Sequence, residues 1–121
     1  MKSHVKTLLV GTALLAMGGI AVAHHSFAMF DADKTVTVQG TVTEFEWVNP
    51  HSWLRVMVND GKTGKPVLWT LELSSPSLLI TMGLQANSLK PGDVVSVTFH
   101  PMKDGSRRGQ ALRVAAKSGQ P

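Results

Sequence analysis

The chain of 121 residues contains no cysteine. This absence excludes a disulfide framework and a thiolate metal site. The folded state must therefore gain its stability from burial alone. Any metal site has to be built from histidine, methionine, carboxylate groups or the amino terminus.

The sequence also lacks a convincing catalytic constellation. Glu44 and Glu46 are two residues apart and share one face of a predicted strand, so they resemble an acid–base pair. Alternating carboxylates are, however, common on the exposed face of strands. We therefore expect a binding protein rather than an enzyme.

The longest apolar run, which ends at Val22, is too short for a membrane-spanning helix. It has about 15 residues, against the ~20 that a helix needs to cross a bilayer. Lys2 and Lys6 precede it, and it ends in the small-x-small sequence that signal peptidase accepts. These features predict a signal peptide over residues 1–23 that is cleaved near Ala23, with membrane contact through the uncleaved signal alone.

The positive charge of the chain is partly a property of this signal. The whole sequence carries a formal charge of +4, and Lys2 and Lys6 are removed on cleavage. The basic cluster that remains, Lys103, Arg107 and Arg108, is typical of a solvated hairpin turn. We therefore do not expect nucleic acid as a partner of this exported chain.

The remaining chain reads as one small domain with an extended arm over 24–34, a barrel over 35–116 and a polar tail over 117–121. The first strand, Thr35–Trp47, changes the phase of its apolar alternation, which predicts a β-bulge at Gly40 or at the Thr43–Glu44 step.

Four further strands and one helix follow the first strand. The predicted strands are Ser52–Val58, Val67–Leu73, Val94–Phe99 and Gln110–Ala115, with a helix of about two turns after Pro76, between strands three and four. This order favours an all-β, five-stranded OB-like barrel. Another small barrel or a sandwich of similar strand count is the alternative.

Several segments together resemble a family of small exported bacterial proteins that is known chiefly as a domain of unknown function. They are the start His24-His25-Ser26-Phe27, the pair Phe30-Asp31, the tract Glu46–Trp53 and the turn Ser88–Asp93. The resemblance implies a periplasmic protein of a Gram-negative bacterium with an OB-like domain. It implies no activity or ligand.

Two adjacent histidines at the expected new terminus suggest a transition-metal site. Cleavage after Ala23 frees the amine of His24 beside the imidazoles of His24 and His25, and nitrogen donors of this kind suit copper, nickel and zinc. A further histidine, His51 or more weakly His100, would complete the set. The hypothesis is therefore a copper-binding or copper-handling protein.

An aromatic groove is the second hypothesis. Trp47, Trp53 and Met57 lie close to His51 in sequence, and the soft thioether of Met57 would favour copper(I). The same side chains also suit a non-metal binding module for a small molecule, a glycan or a periplasmic protein partner. Trp69 is expected to pack inside the barrel.

Overall fold

The computed structural model describes residues 28–117 as an all-β domain with one short helix. Its elements are β1 (Val36–Glu46), β2 (Trp53–Asn59), β3 (Pro66–Glu72), α1 (Pro76–Thr81), β4 (Val94–Pro101) and β5 (Arg108–Ala116). The strands close into a barrel in the order β1-β2-β3-β5-β4. The predicted fold class, an OB-like barrel with a helix between strands three and four, is confirmed. The predicted signal peptide lies outside the described residues.

The first strand is shared between two neighbours. Its first half pairs with β4, from Val36 to Thr41, and its second half pairs with β2, up to Glu46. The register with β2 shifts between Val42 and Glu44, which is the second of the two positions predicted for a bulge. The bulge bends β1 so that one strand serves both sides of the barrel.

The barrel closes through a short parallel ladder between β3 and β5. It consists of three residue pairs, from Thr70 with Arg108 to Glu72 with Gln110, whereas the other strand pairs are antiparallel. Because β5 begins opposite Thr70, the first half of β3 extends beyond the start of β5.

The core lies inside the barrel and under α1. The hydrophobic side chains with at most 1% of their surface exposed are Val42, Leu54, Val56, Leu71, Val95, Val97 and Phe99. Leu79 of α1 joins this cluster beside Leu73, so the helix covers the end of the barrel at which β3 finishes. Ser75 caps the helix by accepting from the Leu78 amide. In residues 28–117 no helix is long and apolar enough to cross a membrane.

The described part of the predicted arm lies against the end of β4. Phe30 is buried and forms an isolated bridge with Met102. The Asp31 amide donates to the Pro101 carbonyl at 2.8 Å, and the Lys103 amide donates to the Met29 carbonyl at 2.9 Å. These bonds hold the segment from Met29 to Asp31 against the end of β4.

Gly109 is required by the core, which gives a stability prediction. A Cβ at this position would lie 2.3 Å from Cδ2 of Phe99 and 2.9 Å from the His100 carbonyl oxygen. We expect Gly109→Ala to lower the free energy of unfolding by about 1–3 kcal/mol, because the methyl group overpacks the core. Urea denaturation followed by circular dichroism measures the change.

The matched control is Gly61→Ala, because no heavy atom lies within 4 Å of a Cβ built at Gly61. This variant should change the free energy of unfolding by less than about 0.5 kcal/mol. Equal urea midpoints for the two variants would contradict the packing argument.

Candidate functional site

The loop between β1 and β2 is tied to the end of β3 by a buried serine. Ser52 is fully buried, and its hydroxyl lies 3.3 Å from both the amide nitrogen and the carbonyl oxygen of Val48. The Ser52 amide donates to the Ser74 carbonyl at 3.1 Å, and its carbonyl accepts from the Leu73 amide at 2.8 Å. This bonding holds the adjacent His51 over the last residues of β3.

His51 is oriented by Glu72, the last residue of β3. Nδ1 of His51 lies 2.8 Å from Oε1 of Glu72. The Glu72 side chain is 11% exposed and that of His51 is 38% exposed. When the Nδ1–H donates to the carboxylate, the lone pair of the neutral imidazole is on Nε2. The pair therefore presents Nε2 of His51 as a fixed base or metal ligand.

A cavity of about 310 Å³ adjoins this pair. It lies between the β1–β2 loop, the start of α1 and β5, and its lining includes Pro50, His51, Glu72, Ser74, Leu78 and Gln110. A small ligand or ion that entered the cavity would meet the imidazole of His51 and the carboxylate of Glu72.

His100 lies on β4, two strands away from Glu72 in the barrel. Its Nδ1 is 2.7 Å from the carbonyl oxygen of Lys34. His100 pairs with Gln110, which in turn pairs with Glu72. The backbones of His100 and Glu72 are thus two strand spacings apart, roughly 10 Å. Each imidazole is held by a partner at Nδ1, and β5 lies between the strands that carry Glu72 and His100.

The three side chains of the proposed groove also occupy different places. Trp47 packs against the core and against Phe45, with ring centroids 5.9 Å apart at 77°. Trp53 and Met57 share the outer face of β2 but are four residues, or roughly 13 Å, apart. The Arg108 guanidinium lies over the Trp53 ring, 5.8 Å from its centroid.

Arg55 stands between Trp53 and Met57 and binds both carboxylates of β1. Its Nη1 is 2.7 Å from Oε2 of Glu44 and also contacts Oε1 of Glu46. The hydrogen bond from Arg55 lowers the pKa of Glu46, and the same bond raises the pKa of Arg55. Glu44 and Glu46 therefore act as the two partners of one guanidinium.

Within residues 28–117 there is no group of three or more histidine, cysteine, aspartate and glutamate side chains placed to hold a metal ion. His24 and His25, the first ligands of the sequence-based hypothesis, lie outside that range. Of the four predicted ligands, the structure thus describes His51 and His100.

The sequence analysis did not identify Glu72 as a functional residue. The sequence offers one signal, the position of Glu72, which is the charged residue in the otherwise uncharged stretch Trp69–Leu73. A carboxylate between buried Leu71 and Leu73 needs a partner. The register of β3 alone does not reveal that the partner is His51.

Comparison with solved structures supports the fold. The barrel is similar to a crystal structure of the mitochondrial single-stranded DNA-binding protein Rim1 of S. cerevisiae, with a TM-score of 0.52 and 8% sequence identity. The similarity covers 69% of this chain and 92% of that one. At this identity it shows the fold alone.

The similarity nevertheless corrects one expectation from the sequence. Nucleic acid was excluded as a partner, and that exclusion is wrong, because a protein named for binding single-stranded DNA has a similar fold. The modest charge of the chain is therefore not a reason to exclude this class of ligand.

Comparison with curated proteins found no match. A family described as "Family of unknown function (DUF6152)" matches residues 13–111. This range includes most of the described domain, and it agrees with the resemblance to a family of unknown function. The chain therefore belongs to this family.

Proposed function

We propose that this chain is a periplasmic copper-binding protein, exported by a cleaved signal peptide, and that it acts by binding rather than by catalysis. The ligands are the processed amino terminus with His24 and His25, together with His51 of the β1–β2 loop. The observation that carries the proposal is the 2.8 Å contact between Nδ1 of His51 and the carboxylate of Glu72.

A carboxylate on Nδ1 is the usual support of a histidine that ligates a metal through its other nitrogen. Such a partner fixes the tautomer and the ring orientation, and it increases the basicity of the ligating nitrogen. Glu72 is nearly buried, whereas the imidazole of His51 is more than one-third exposed. The anchor is thus inside the domain, and Nε2 is available to an ion at the surface.

The donor set favours copper. It consists of an amine and imidazoles, and the affinity of nitrogen sites for divalent metals peaks at copper in the Irving–Williams order. The sequence has no cysteine, so thiolate ligands do not compete for the ion.

The arm is long enough to bring His24 to this site. Phe30 bridges to Met102, the Met102 amide donates to the Arg108 carbonyl, and Arg108 pairs with β3 two residues before Glu72. The path from Phe30 to Glu72 crosses three strand spacings and runs two residues along β3, so the two backbones are roughly 16 Å apart. The six residues from Phe30 back to His24 would span about 20 Å at full extension, which requires Ala28 and Met29 to leave the helical turn that they form in the structure.

The first prediction concerns the ligand itself. We expect His51→Gln to weaken copper(II) binding by the chain that begins at His24 at least 10-fold, because one of its nitrogen ligands is lost. Isothermal titration calorimetry at pH 7.5 measures the affinity and stoichiometry. His100→Gln is the matched control, since His100 lies on β4 and is held by the carbonyl of Lys34. Wild-type affinity in His51→Gln would contradict the proposed site.

The amino terminus is tested separately by one extra residue before His24. The extension moves the free amine away from His24 and should weaken copper binding by a similar factor. If the extended chain binds copper as tightly as the processed chain does, His51 belongs to a site without the amino terminus.

The second prediction concerns Glu72 as the positioning residue. We expect Glu72→Gln to weaken copper binding about 10-fold while His51 remains present, as is usual when the partner of a ligating histidine is changed. The matched control is Glu44→Gln, because Glu44 pairs with Arg55 on the outer face. Thermal unfolding of each apo variant separates lost affinity from lost folding. Unchanged affinity in a folded Glu72→Gln variant would show that the carboxylate does not support the ligand.

A further inference from the structure

The end of the barrel opposite α1 is open, and its lining is mixed. Val38, Val58, Val67 and Trp69 line a cavity of about 560 Å³ together with polar side chains of β1, residues of the β2–β3 turn and Arg107. These four inward-facing side chains are partly buried, whereas Leu54, Val56, Leu71 and Val97 deeper in the barrel have no exposed surface. We call this cavity the barrel mouth.

The closure of the barrel explains why this end is open. The first half of β3 extends beyond the start of β5, so β5 does not pair with it there. The loop before β5 is held at the middle of β3 by the Thr70 amide, which donates to the Arg107 carbonyl at 3.1 Å. The helix lies at the other end, so it does not cover the barrel mouth.

Trp69 has the largest apolar side chain that lines the barrel mouth. Its ring lies 5.0 Å from that of Phe99, at an angle of 47°, and Phe99 is fully buried. This contact holds one side of the indole in place. Trp69 also lines the cavity. A rigid indole beside partly buried valines is suited to a flat apolar ligand.

The rim of the barrel mouth carries more positive than negative charge. Lys62, Arg107 and Asp60 line it. Nη2 of Arg107 is 3.6 Å from Oδ2 of Asp60, and the Arg107 side chain is 46% exposed. The ion pair is long and in contact with solvent, so other N–H donors of the Arg107 guanidinium remain available beside the cavity. Charge complementarity therefore favours a ligand with a single anionic group.

We propose that the barrel mouth binds a small aromatic anion, with its ring against Trp69 and its anionic group at Arg107. The cavity volume lies within the usual range for small-molecule sites. This site is independent of the proposed copper site, because Glu72 and the β2–β3 turn lie at opposite ends of β3. A ligand at either site leaves the other open.

Two fluorescent probes that differ by one sulfonate test the proposal on the full-length protein. 1-Anilinonaphthalene-8-sulfonate has the ring system of N-phenyl-1-naphthylamine with an added anionic group. We expect Arg107→Gln to weaken binding of the anionic probe at least 5-fold and to change binding of the neutral probe less than 2-fold. Arg113→Gln, on the exposed face of β5, is the control and should change neither affinity. Equal effects of the two arginine variants would overturn the proposal.

The position of the ring is tested by removing the indole. Trp69→Leu should weaken binding of both probes at least 5-fold, because the ring loses its stacking surface, whereas Trp53→Leu on the outer face should change neither affinity more than 2-fold. Near-ultraviolet circular dichroism confirms that each variant is folded, so that probe binding to a loosened core is recognised. Unchanged probe affinity in folded Trp69→Leu would overturn the site. Displacement of the probe by an equal concentration of single-stranded oligonucleotide would overturn the assignment to a small anion.

Discussion

The bend in β1 is the constraint on which the rest of the structure depends. One strand of eleven residues pairs with β4 along its first half and with β2 along its second half, and the barrel closes because it turns between them. The bulge between Val42 and Glu44 provides the turn. Gly40 allows the close crossing, since a Cβ there would lie 2.4 Å from the Met57 carbonyl oxygen. Closure then sets the positions of the β1–β2 loop and of the barrel mouth.

The strands, the helix and the bulge could be predicted because they are local. A change of apolar phase within thirteen residues already indicates that β1 must bend, and the Ser75–Pro76 start and the Gly83 end delimit the helix. The contact between His51 and Glu72 could not be predicted in this way. It joins a loop to the end of a strand 21 positions later, and it depends on how β2 and β3 are aligned and on the buried hydroxyl of Ser52.

Trp69 shows a second limit of the sequence. Its parity on β3 correctly predicts an inward-facing side chain, since Leu71 on the same face is fully buried. Whether an inward-facing residue is covered depends on which element closes that end of the barrel. Here α1 covers one end, whereas β5 begins too late to cover the first half of β3. The predicted groove of Trp47, Trp53 and Met57 was based on closeness in sequence, and β2 instead places Arg55 between the last two.

The nearly buried carboxylate of Glu72 is difficult to explain by stability alone. Removing a charge from water is costly, and one contact with a partly exposed imidazole offsets that cost incompletely. An uncharged residue at position 72 would avoid this desolvation cost. It would still leave the end of β3 tied to the β1–β2 loop, because the Leu73 amide and the Ser74 carbonyl are already bonded to Ser52. The carboxylate fixes the orientation of His51, and under the proposed function this orientation presents Nε2 to the ion. The same reasoning separates the two histidines: His100 is held by a backbone carbonyl, which any residue at position 34 would supply, whereas His51 depends on a specific side chain.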